Sequence, residues 1–401
     1  MRISSNTLFD SNVALLGQQQ TRLLQTQQQI ASGRRIQTAA DDPVAAARAL
    51  EIAQADAMNT QYAANRTAVR NTLSLAESNL QSVTFLLQDV QTAVVNAGSG
   101  ALNNSDRQTI ATELSGRLQE LVGLANSTDG TGNYLFAGFQ SRTPPFAATS
   151  TGIGYFGDDG KQNMQVSATR QIASSDSGAD VFMRIKNGNG TFATQAAATN
   201  TGSGVIGLGN VVNPALLTGH SYQVDFSVVA GVTTYSVTDN STLPAPTVLS
   251  TGNPYVSGQA INFDGIQFDI QGAPANGDSF TVSPSTNESV FKTISDLINV
   301  LNTPVAGASL TNGLNRGLNN LDNALNKVLT ARSSLGLRLN EIDALQAAGD
   351  NLDLQYKQTI SALQDVDYNK AISDLTQQQM SLQAAQKSFT QISNLTLFDY
   401  I

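Results

Sequence analysis

The chain has 401 residues, of which 13% are charged, and its 22 Lys and Arg against 31 Asp and Glu give a formal net charge of −9. It contains no cysteine and only one histidine, His220, which excludes a disulfide framework, thiolate zinc sites and most imidazole metal chemistry. A thinly spread negative charge without a basic patch makes nucleic acid and anionic membranes poor partners, and we expect no cofactor.

The first ten residues lack the apolar segment that precedes a signal-peptide cleavage site. No uninterrupted apolar run approaches the ~18 residues that a membrane-spanning helix needs. Composition therefore predicts a protein without a cleaved signal or a membrane span, and taken alone it favours the cytoplasm.

The first predicted element is a helix within residues 1–42, and its counterpart lies within residues 358–401. In the first, the heptad spacing selects Val13, Leu16, Leu23 and Ile30, with Gln20 and Gln27 at the alternate core positions. In the second it selects Ile372, Leu375, Leu382 and Phe389, with Gln379 and Gln386 alternating. Buried amides weaken an isolated pair of helices but fix its register when every donor and acceptor is matched. We therefore expect both ends to be frayed in the free chain and ordered on assembly, the alternative being a weak pair within one chain.

Two acidic residues, Asp41 and Asp42, precede Pro43 and resemble the paired carboxylates of acid/base catalysis. A local explanation is better, because an Asp at a helix N-cap accepts hydrogen bonds from free amides. Pro43 fits the first helical position, where its missing N–H costs nothing. We interpret the three residues as a helix cap.

A long helix is predicted from Pro43 to Ala97, because two apolar series with a seven-residue spacing run side by side. These series are Leu73, Leu80, Leu87 and Val94, and Ala76, Val83, Val90 and Ala97. Gly98 and Gly100 end the pattern. A second helix is predicted to begin at Ser105, with Gln108 completing a capping box, and to end near Asn126.

The middle of the chain, residues 142–288, changes to strand-length runs separated by Gly, Asn and Pro. The runs include 222–229, 235–237, 261–270 and 279–282, and Asp264-Gly265 is a turn signal within one of them. The pattern predicts an antiparallel β insertion. His220, in a Thr- and Val-rich stretch, is interpreted as structural.

The last third supplies the partner of the long helix. Its two apolar series are Leu314, Leu321, Val328, Leu335 and Ile342, and Leu318, Leu325 and Leu339, with Arg332 as the one polar break. The fold class is thus predicted as α+β: a long helical coiled-coil or bundle rod built from both termini, with an inserted antiparallel β domain. The predicted division is 1–42 and 358–401 for an inner coiled coil, 43–141 and 289–357 for a helical bundle, and 142–288 for the outer β domain.

No constellation of residues supports catalysis. The glycine-rich segment 152–161 fails the phosphate-loop spacing, since Tyr155 stands where a glycine is needed and no Ser or Thr follows Lys161. Asp158-Asp159-Gly160 lacks the later ligands of a calcium loop and is typical of a β-turn. We predict that the chain is not an enzyme.

One long segment carries a resemblance to a known family. Residues 31–47, ASGRRIQTAADDPVAAA, resemble the turn in the amino-terminal region of flagellins. Pro43, the segment GNYLFAG at 132–138 with TPPF at 143–146, YFGDDG at 155–160 and the final SNLTLFDYI at 393–401 are similar to the hook-associated protein 3 branch of that family. The resemblance covers both helical ends well and the middle loosely.

The resemblance implies a structural subunit of the bacterial flagellum at the hook-filament junction, acting as a mechanical adaptor. It implies a place between hook-associated protein 1 and flagellin, contacts with copies of itself in a ring, and the terminal helices as an inner coiled coil. It further implies secretion out of the cell, unfolded, by the flagellar type III export apparatus, with a possible export chaperone. Flagellin itself, and a surface adhesin whose β insertion binds, are the alternatives.

Overall fold

The structure is a computed structural model that describes residues 5–242, 244–304 and 307–394. Within these residues the chain forms six α-helices. They are α1 (Ser5–Ser32), α2 (Pro43–Ala97), α3 (Asn104–Ala125), α4 (Val290–Asn302), α5 (Ala308–Gln364) and α6 (Tyr368–Asn394).

Between α3 and α4 lie the strands, and every pair of them is antiparallel. They are β1 (Phe146–Thr149), β2 (Gly152–Tyr155), β3 (Asn163–Ser167), β4 (Arg170–Ala173), β5 (Ile185–Lys186), β6 (Phe192–Ala196), β7 (Val205–Ile206), β8 (Asn210–Val211), β9 (Tyr222–Val229), β10 (Val232–Asp239), β11 (Thr247–Pro254), β12 (Ala260–Phe263), β13 (Ile266–Gln271), β14 (Ser279–Pro284) and β15 (Asn287–Glu288). The predicted α+β class, with helices from both ends around an antiparallel β insertion, is confirmed.

The chain divides into two compact units. One, which we call the terminal unit, is Met1–Ala64 with Ala344–Ile401. The other, the central unit, is Asn65–Asp343. Since α2 and α5 each contribute residues to both units, these boundaries lie inside helices. The finer five-part division proposed from the sequence stays a prediction.

The helices of the central unit bury both predicted apolar series of α2 and the first predicted series of α5. In α2, all eight residues of the pattern are at most 5% exposed, and in α5 the series from Leu314 to Ile342 is equally buried. Each such leucine or valine stabilises the fold by about 1.5–3 kcal/mol relative to exposure. The α2 stripe and the first α5 series are therefore confirmed as core. The second predicted α5 series is not, since Leu318, Leu325 and Leu339 are only half-buried, whereas Gly317 and Ala324, one residue earlier than Leu318 and Leu325, are buried. Arg332, the polar break, forms an ion pair with Glu77 of α2.

The start of α3 differs from the sequence prediction. Its N-cap is Asn103, whose side chain accepts from Asp106 N–H at 3.0 Å, while the Asp106 carboxylate accepts from Asn103 N–H at 3.0 Å. The predicted cap at Ser105 with Gln108 was wrong because a second capping box, Asn-x-x-Asp, overlaps it two residues earlier. The predicted end is correct, since Asn126 is the C-cap.

Strands β6 to β14 form a body with its own core, which we call the β-body (residues 189–284). A five-stranded sheet of order β11-β10-β9-β14-β6 lies with a smaller sheet of order β12-β13-β7. Their facing side chains form one apolar cluster that includes Phe226, Phe268 and Phe280. Asp264 and Gly265 both have positive φ, as the predicted tight turn between β12 and β13 requires.

His220 lies immediately before β9, where its Nδ1 is 2.6 Å from the Asp239 carboxylate at the end of β10. Asp239 is buried, and the paired imidazole satisfies it. Among the described residues no group of three or more acidic, His or Cys side chains is arranged to hold a metal ion. The histidine thus ties two strand ends together.

Candidate assembly surface

The terminal unit brings the two ends of the chain together as an antiparallel helix pair. The rings of Phe9 in α1 and Phe389 in α6 lie 5.2 Å apart at one end of the pair. At the other end Arg34 and Asp365 form a β-bridge. The pair is joined to the rest of the unit by α2 and α5, where Asn59 Nδ2 donates to the Gly349 carbonyl at 2.8 Å.

The predicted seam residues fall into two groups in this pair. Half-buried between the helices are Leu16, Leu23, Ile30, Leu375, Leu382 and Phe389. Exposed are Val13, Gln20, Gln27, Ile372, Gln379 and Gln386. The half-buried leucines are followed three residues later, not four, by the next residue that faces the partner helix.

The alternate seam positions are therefore one residue earlier than expected. They are Asn12, Gln19 and Thr26 in α1, and Ala371, Gln378 and Ala385 in α6. The sequence offered both frames, because heptad core positions alternate in steps of three and four. A role of the seam in assembly stays a proposal.

Two glutamines of the seam have an unmet hydrogen-bond acceptor. Within the described part of the chain, the buried side-chain oxygens of Gln19 and Gln378 have no hydrogen-bond partner. With Phe9 opposite Phe389 and Arg34 opposite Asp365, the antiparallel register places Gln19 and Gln378 in the same layer. A buried acceptor left unpaired costs about 1–3 kcal/mol. The pair is therefore held weakly at its middle.

The connection between α1 and α2 lies beside the connection between α5 and α6, and backbone hydrogen bonds join the two connections. Arg35 N–H donates to the Gln364 carbonyl at 2.7 Å, and Val366 N–H donates to the Gly33 carbonyl at 3.0 Å. Gly33 has a φ of 71°, and a Cβ there would lie 3.1 Å from the Tyr368 hydroxyl. We call this the double turn (residues 33–42 and 365–367). It ties the α1–α2 connection to the α5–α6 connection.

Side chains reinforce the double turn. The Arg35 guanidinium donates to the Leu363 carbonyl at 2.9 Å and to the Asp42 carboxylate at 3.2 Å. Asp42 also accepts from Ala45 N–H at 3.0 Å, one turn into α2, while Pro43 is its first helical residue. Asp41 accepts from the N–H groups of Thr38 and Gln37 at 2.8 and 3.0 Å, so the two acids cap and brace different segments.

These hydrogen bonds act on the acidity of both carboxyl groups. The N–H groups of Thr38 and Gln37 hold the pKa of Asp41 below its usual value. The Ala45 N–H, followed by the Arg35 guanidinium, lowers the pKa of Asp42. Both groups therefore remain carboxylates at a lower pH than an ordinary aspartate does, which supports the double turn. Their donors are backbone amides and an arginine, an arrangement that caps helices rather than moving protons.

The terminal unit exposes many large apolar side chains. They are Phe9, Val13, Leu15 and Leu24 of α1, Val44, Leu50 and Met58 of α2, Leu352 and Leu354 of α5, and Tyr368, Ile372 and Met380 of α6. Exposed apolar side chains on two-helix pairs gain free energy when a neighbouring molecule covers them, at about 25 cal/mol per Å² of apolar surface. We call this set the apolar face. It is the feature of the terminal unit best suited to assembly.

Sequence reasoning missed Gln19, Gln378 and the contacts of the double turn. The two glutamines could have been found from the alternative heptad frame, in which the next core position lies three residues after each seam leucine. The contacts of Arg35 had no sequence signal, since its partners at 363 and 364 are separated from it by most of the chain. Within the described residues, no helix has the length and apolar character that crossing a bilayer requires.

Comparison with known proteins gives consistent results at both ends and in the middle. Residues 3–141 match the bacterial flagellin N-terminal helical region, and residues 318–401 match its C-terminal helical region. Residues 196–284, within the β-body, match the D2-like domain of flagellar hook-associated protein 1.

Similar proteins are found along the full length. The flagellar hook-associated protein 3 of Salmonella typhimurium is 30% identical, and the match covers 99% of each chain. The crystal structure of flagellar hook-associated protein 3 from Legionella pneumophila is 32% identical with a TM-score of 0.74, covering 78% of this chain and 98% of that one. A structure described as the flagellar junction protein FlgL from the same organism is 32% identical with a TM-score of 0.71, covering 79% of this chain and 100% of that one.

Proposed function

We propose, from the premise that the chain belongs to the flagellar hook-associated protein 3 family, that it joins the hook-associated region of the bacterial flagellum to the flagellin filament. It is a structural subunit of the flagellum at the hook-filament junction. Its work there is mechanical, since a junction between two assemblies of different stiffness must transmit torque without separating.

The apolar face of the terminal unit is the observation that carries this proposal. Side chains such as Phe9, Leu24, Ile372 and Met380 lie in water on helices whose seam is itself only half-buried. Covering them with the same faces of neighbouring subunits would stabilise a continuous assembly. A subunit that had only to fold alone would have no use for so many exposed apolar groups at its two ends.

The proposed partners follow from the proposed place of the chain between the hook-associated region and the filament. We propose that the terminal unit contacts hook-associated protein 1 on one side, flagellin on the other, and copies of this chain within a ring. The match of residues 196–284 to a domain of hook-associated protein 1 supports a common origin of the β-body with that neighbour's outer domain. It is in keeping with two related subunits of the flagellar axial structure.

Export is proposed to proceed unfolded through the flagellar type III apparatus, with a chaperone covering the apolar face until delivery, and the subunit to function outside the cell. The absence of cysteine from the chain supports this route, because a chain without disulfides refolds after transit without an oxidant. The weak middle of the α1–α6 seam supports it too, since a loosely held pair opens at low cost.

Neither of the two alternatives, flagellin and a surface adhesin, is favoured. The flagellin regions match only the two ends, whereas hook-associated protein 3 matches 99% of the chain. No observation favours an adhesin. We propose that the chain has no catalytic role, in keeping with relatives that are structural proteins.

A strain lacking this protein tests the proposed function. It should build hooks, fail to build filaments and release unpolymerised flagellin into the medium, because the surface on which filament growth begins is missing. Supplying the intact chain in trans should restore filaments. Normal filaments in the deletion strain would overturn the assignment to the junction.

A further inference from the structure

A large polar cleft separates the β-body from the helices of the central unit. Its volume is about 1170 Å³, room for on the order of 40 water molecules. On the helical side it is lined by polar groups including Lys292, Asp296 and Asn299 of α4 and Asn312, Arg316 and Asn319 of α5. Strand β6 and the segment before β7 line the other side. An interface built this way is wet instead of close-packed.

The β-body is covalently joined to the helices only through two adjacent segments, which we call the neck (185–188 and 285–288). Asn187 N–H donates to the Thr286 carbonyl at 3.1 Å, and its side-chain oxygen accepts from Thr286 N–H at 2.9 Å. Ser285 Oγ donates to the Asn187 carbonyl at 2.7 Å. The neck is thus a two-stranded ribbon, and a ribbon of this width bends and twists more easily than a sheet.

Two asparagines of α5 fix the neck to the helix. Asn320, buried at 5% exposure, accepts from Gly188 N–H at 3.1 Å and donates to the Glu288 carboxylate at 3.1 Å. Asn323 donates to the carbonyls of Lys186 and Gly188 at 2.9 and 2.7 Å. Both strands of the neck are therefore held against α5 at one level.

A third asparagine, Asn312, bridges the cleft two helical turns away, about 12 Å along the axis from Asn320. Its Oδ1 accepts from Ile206 N–H at 3.0 Å, and its Nδ2 donates to the Gly204 carbonyl at 3.0 Å. Among the described residues these are the hydrogen bonds that connect the β-body to α4 and α5 beyond the neck. The net contribution of each bond is small, since water replaces it readily at the edge of a cleft.

The core of the β-body is independent of the helices. All residues of its apolar cluster, from Phe192 to Val282, belong to the β-body itself. Opening the cleft would consequently expose little of that core. Opening the cleft breaks only these two hydrogen bonds of Asn312, so thermal motion should populate the open form to the order of 1–10%.

We propose that the β-body is a rigid body that pivots on the neck, with Asn320 and Asn323 as the fixed anchor and Asn312 as a releasable latch. The cleft gives the body room to move. The inference deepens the mechanical adaptor role and rests on it for its purpose: a subunit between two assemblies of different curvature can keep its helical part docked while its outer part adjusts. The motion itself is a property of the free chain.

The absence of cysteine makes the test direct. Spin labels at Val248→Cys on β11 and Leu337→Cys on α5, both at exposed positions, report the distance between the β-body and the helix by pulsed electron paramagnetic resonance. Asn312→Ala should broaden the distance distribution or shift its maximum. Asn315→Ala, at an exposed position of the same helix, is the control and should leave the distribution unchanged.

Two further readouts separate a latch from a purely structural contact. The β-body should keep its melting temperature in Asn312→Ala, because its core is its own, and the Ile206 amide should exchange about tenfold faster with solvent. If Asn312→Ala fails to fold, Asn312→Asp replaces it, since it keeps the acceptor for Ile206 and loses the donor to Gly204. Distributions that are identical in wild type and latch variant would overturn the proposal. They would leave the junction role untouched, as the deletion strain tests that role separately.

Discussion

The guanidinium of Arg332 in α5 lies 2.7 Å from the carboxylate of Glu77 in α2, where it interrupts a series of leucines. The two side chains are 24% and 31% exposed, so the pair is mostly shielded from water. Arg332 also donates to the Thr84 hydroxyl at 3.4 Å. This shielded charged pair thus helps to fix the register of two helices whose leucines alone would tolerate a shift by one heptad.

Removing one partner of this pair should cost more than removing both. Glu77→Ala leaves a shielded guanidinium without its acid and should lower the free energy of unfolding by about 1–3 kcal/mol. The double variant Glu77→Ala with Arg332→Leu, which continues the leucine series, should recover most of that loss. Urea unfolding of both purified variants measures this. A double variant less stable than the single one would contradict the account of the seam.

The close approach of α4 and α5 depends on Gly317. A Cβ at this position would lie 2.3 to 3.0 Å from three carbons of the buried Leu297 side chain. Gly317→Ala should therefore destabilise the central unit by about 1–3 kcal/mol, the usual cost of overpacking. Gly336→Ala is the matched control on the same helix, since a Cβ there meets nothing within 4 Å. It should be neutral or stabilise by up to about 1 kcal/mol. Equal effects of the two variants on thermal unfolding would refute the steric argument.

The loop at Asp129 should lose order only in strong acid. Burial acts to raise its pKa, but hydrogen bonds from Thr131 and Asn133 outweigh it and lower the pKa to about 2 from an ordinary value of 3.8. Because the folded pKa is the lower one, the stabilisation is fully present above about pH 4 and is lost as the pH falls through about 2.

Carboxyl ¹³C titration by NMR measures this directly. Asp129 should titrate near pH 2 in the wild type, and Thr131→Val, which removes one hydroxyl donor at 2.7 Å, should raise the value. A wild-type midpoint near 3.8 would show that the loop does not hold the carboxylate.

The polar layer of Gln19 and Gln378 should weaken the terminal pair. Replacing both with leucine removes two buried unpaired acceptors. The free energy of unfolding of the terminal unit should rise by about 1–3 kcal/mol for each glutamine replaced. Gln20→Leu with Gln379→Leu places the same change at exposed positions one residue later and should alter stability by less than about 0.5 kcal/mol. Circular dichroism melts of the helical signal compare the two double variants. An equal gain in both would disprove the heptad frame seen in the structure.

The heptad frame shows how far the sequence could predict this fold. In α1 the series Leu16, Leu23 and Ile30 has one residue in each heptad, and such a series fits either core position. If the leucines occupy the second core position, the next core residue is four later, which selects Gln20. If they occupy the first, it is three later and selects Gln19, as the structure has it. The same choice, with the same outcome, arises in α6.

In α2 the frame was unambiguous, because both core positions are filled by apolar residues and the two interleaved series determine each other. In α5 the first series was predicted correctly, but the second core position lies one residue earlier than predicted, at Gly317 and Ala324 instead of Leu318 and Leu325. Heptad patterns could not predict the polar contacts. Nothing in the sequence distinguishes Asn312 from the exposed Asn315, yet Asn312 holds the backbone of β7. Nor could Glu77 be identified as the partner of Arg332, since 255 residues separate them.

The position of this chain in intact flagella tests the junction assignment most directly. Because the natural chain has no cysteine, Val248→Cys introduces the only thiol, at an exposed position of the β-body, and a maleimide dye labels it on living cells. We predict a single fluorescent spot between hook and filament in a strain that swims normally. Label distributed along the whole filament would instead identify a bulk filament subunit and contradict the junction assignment.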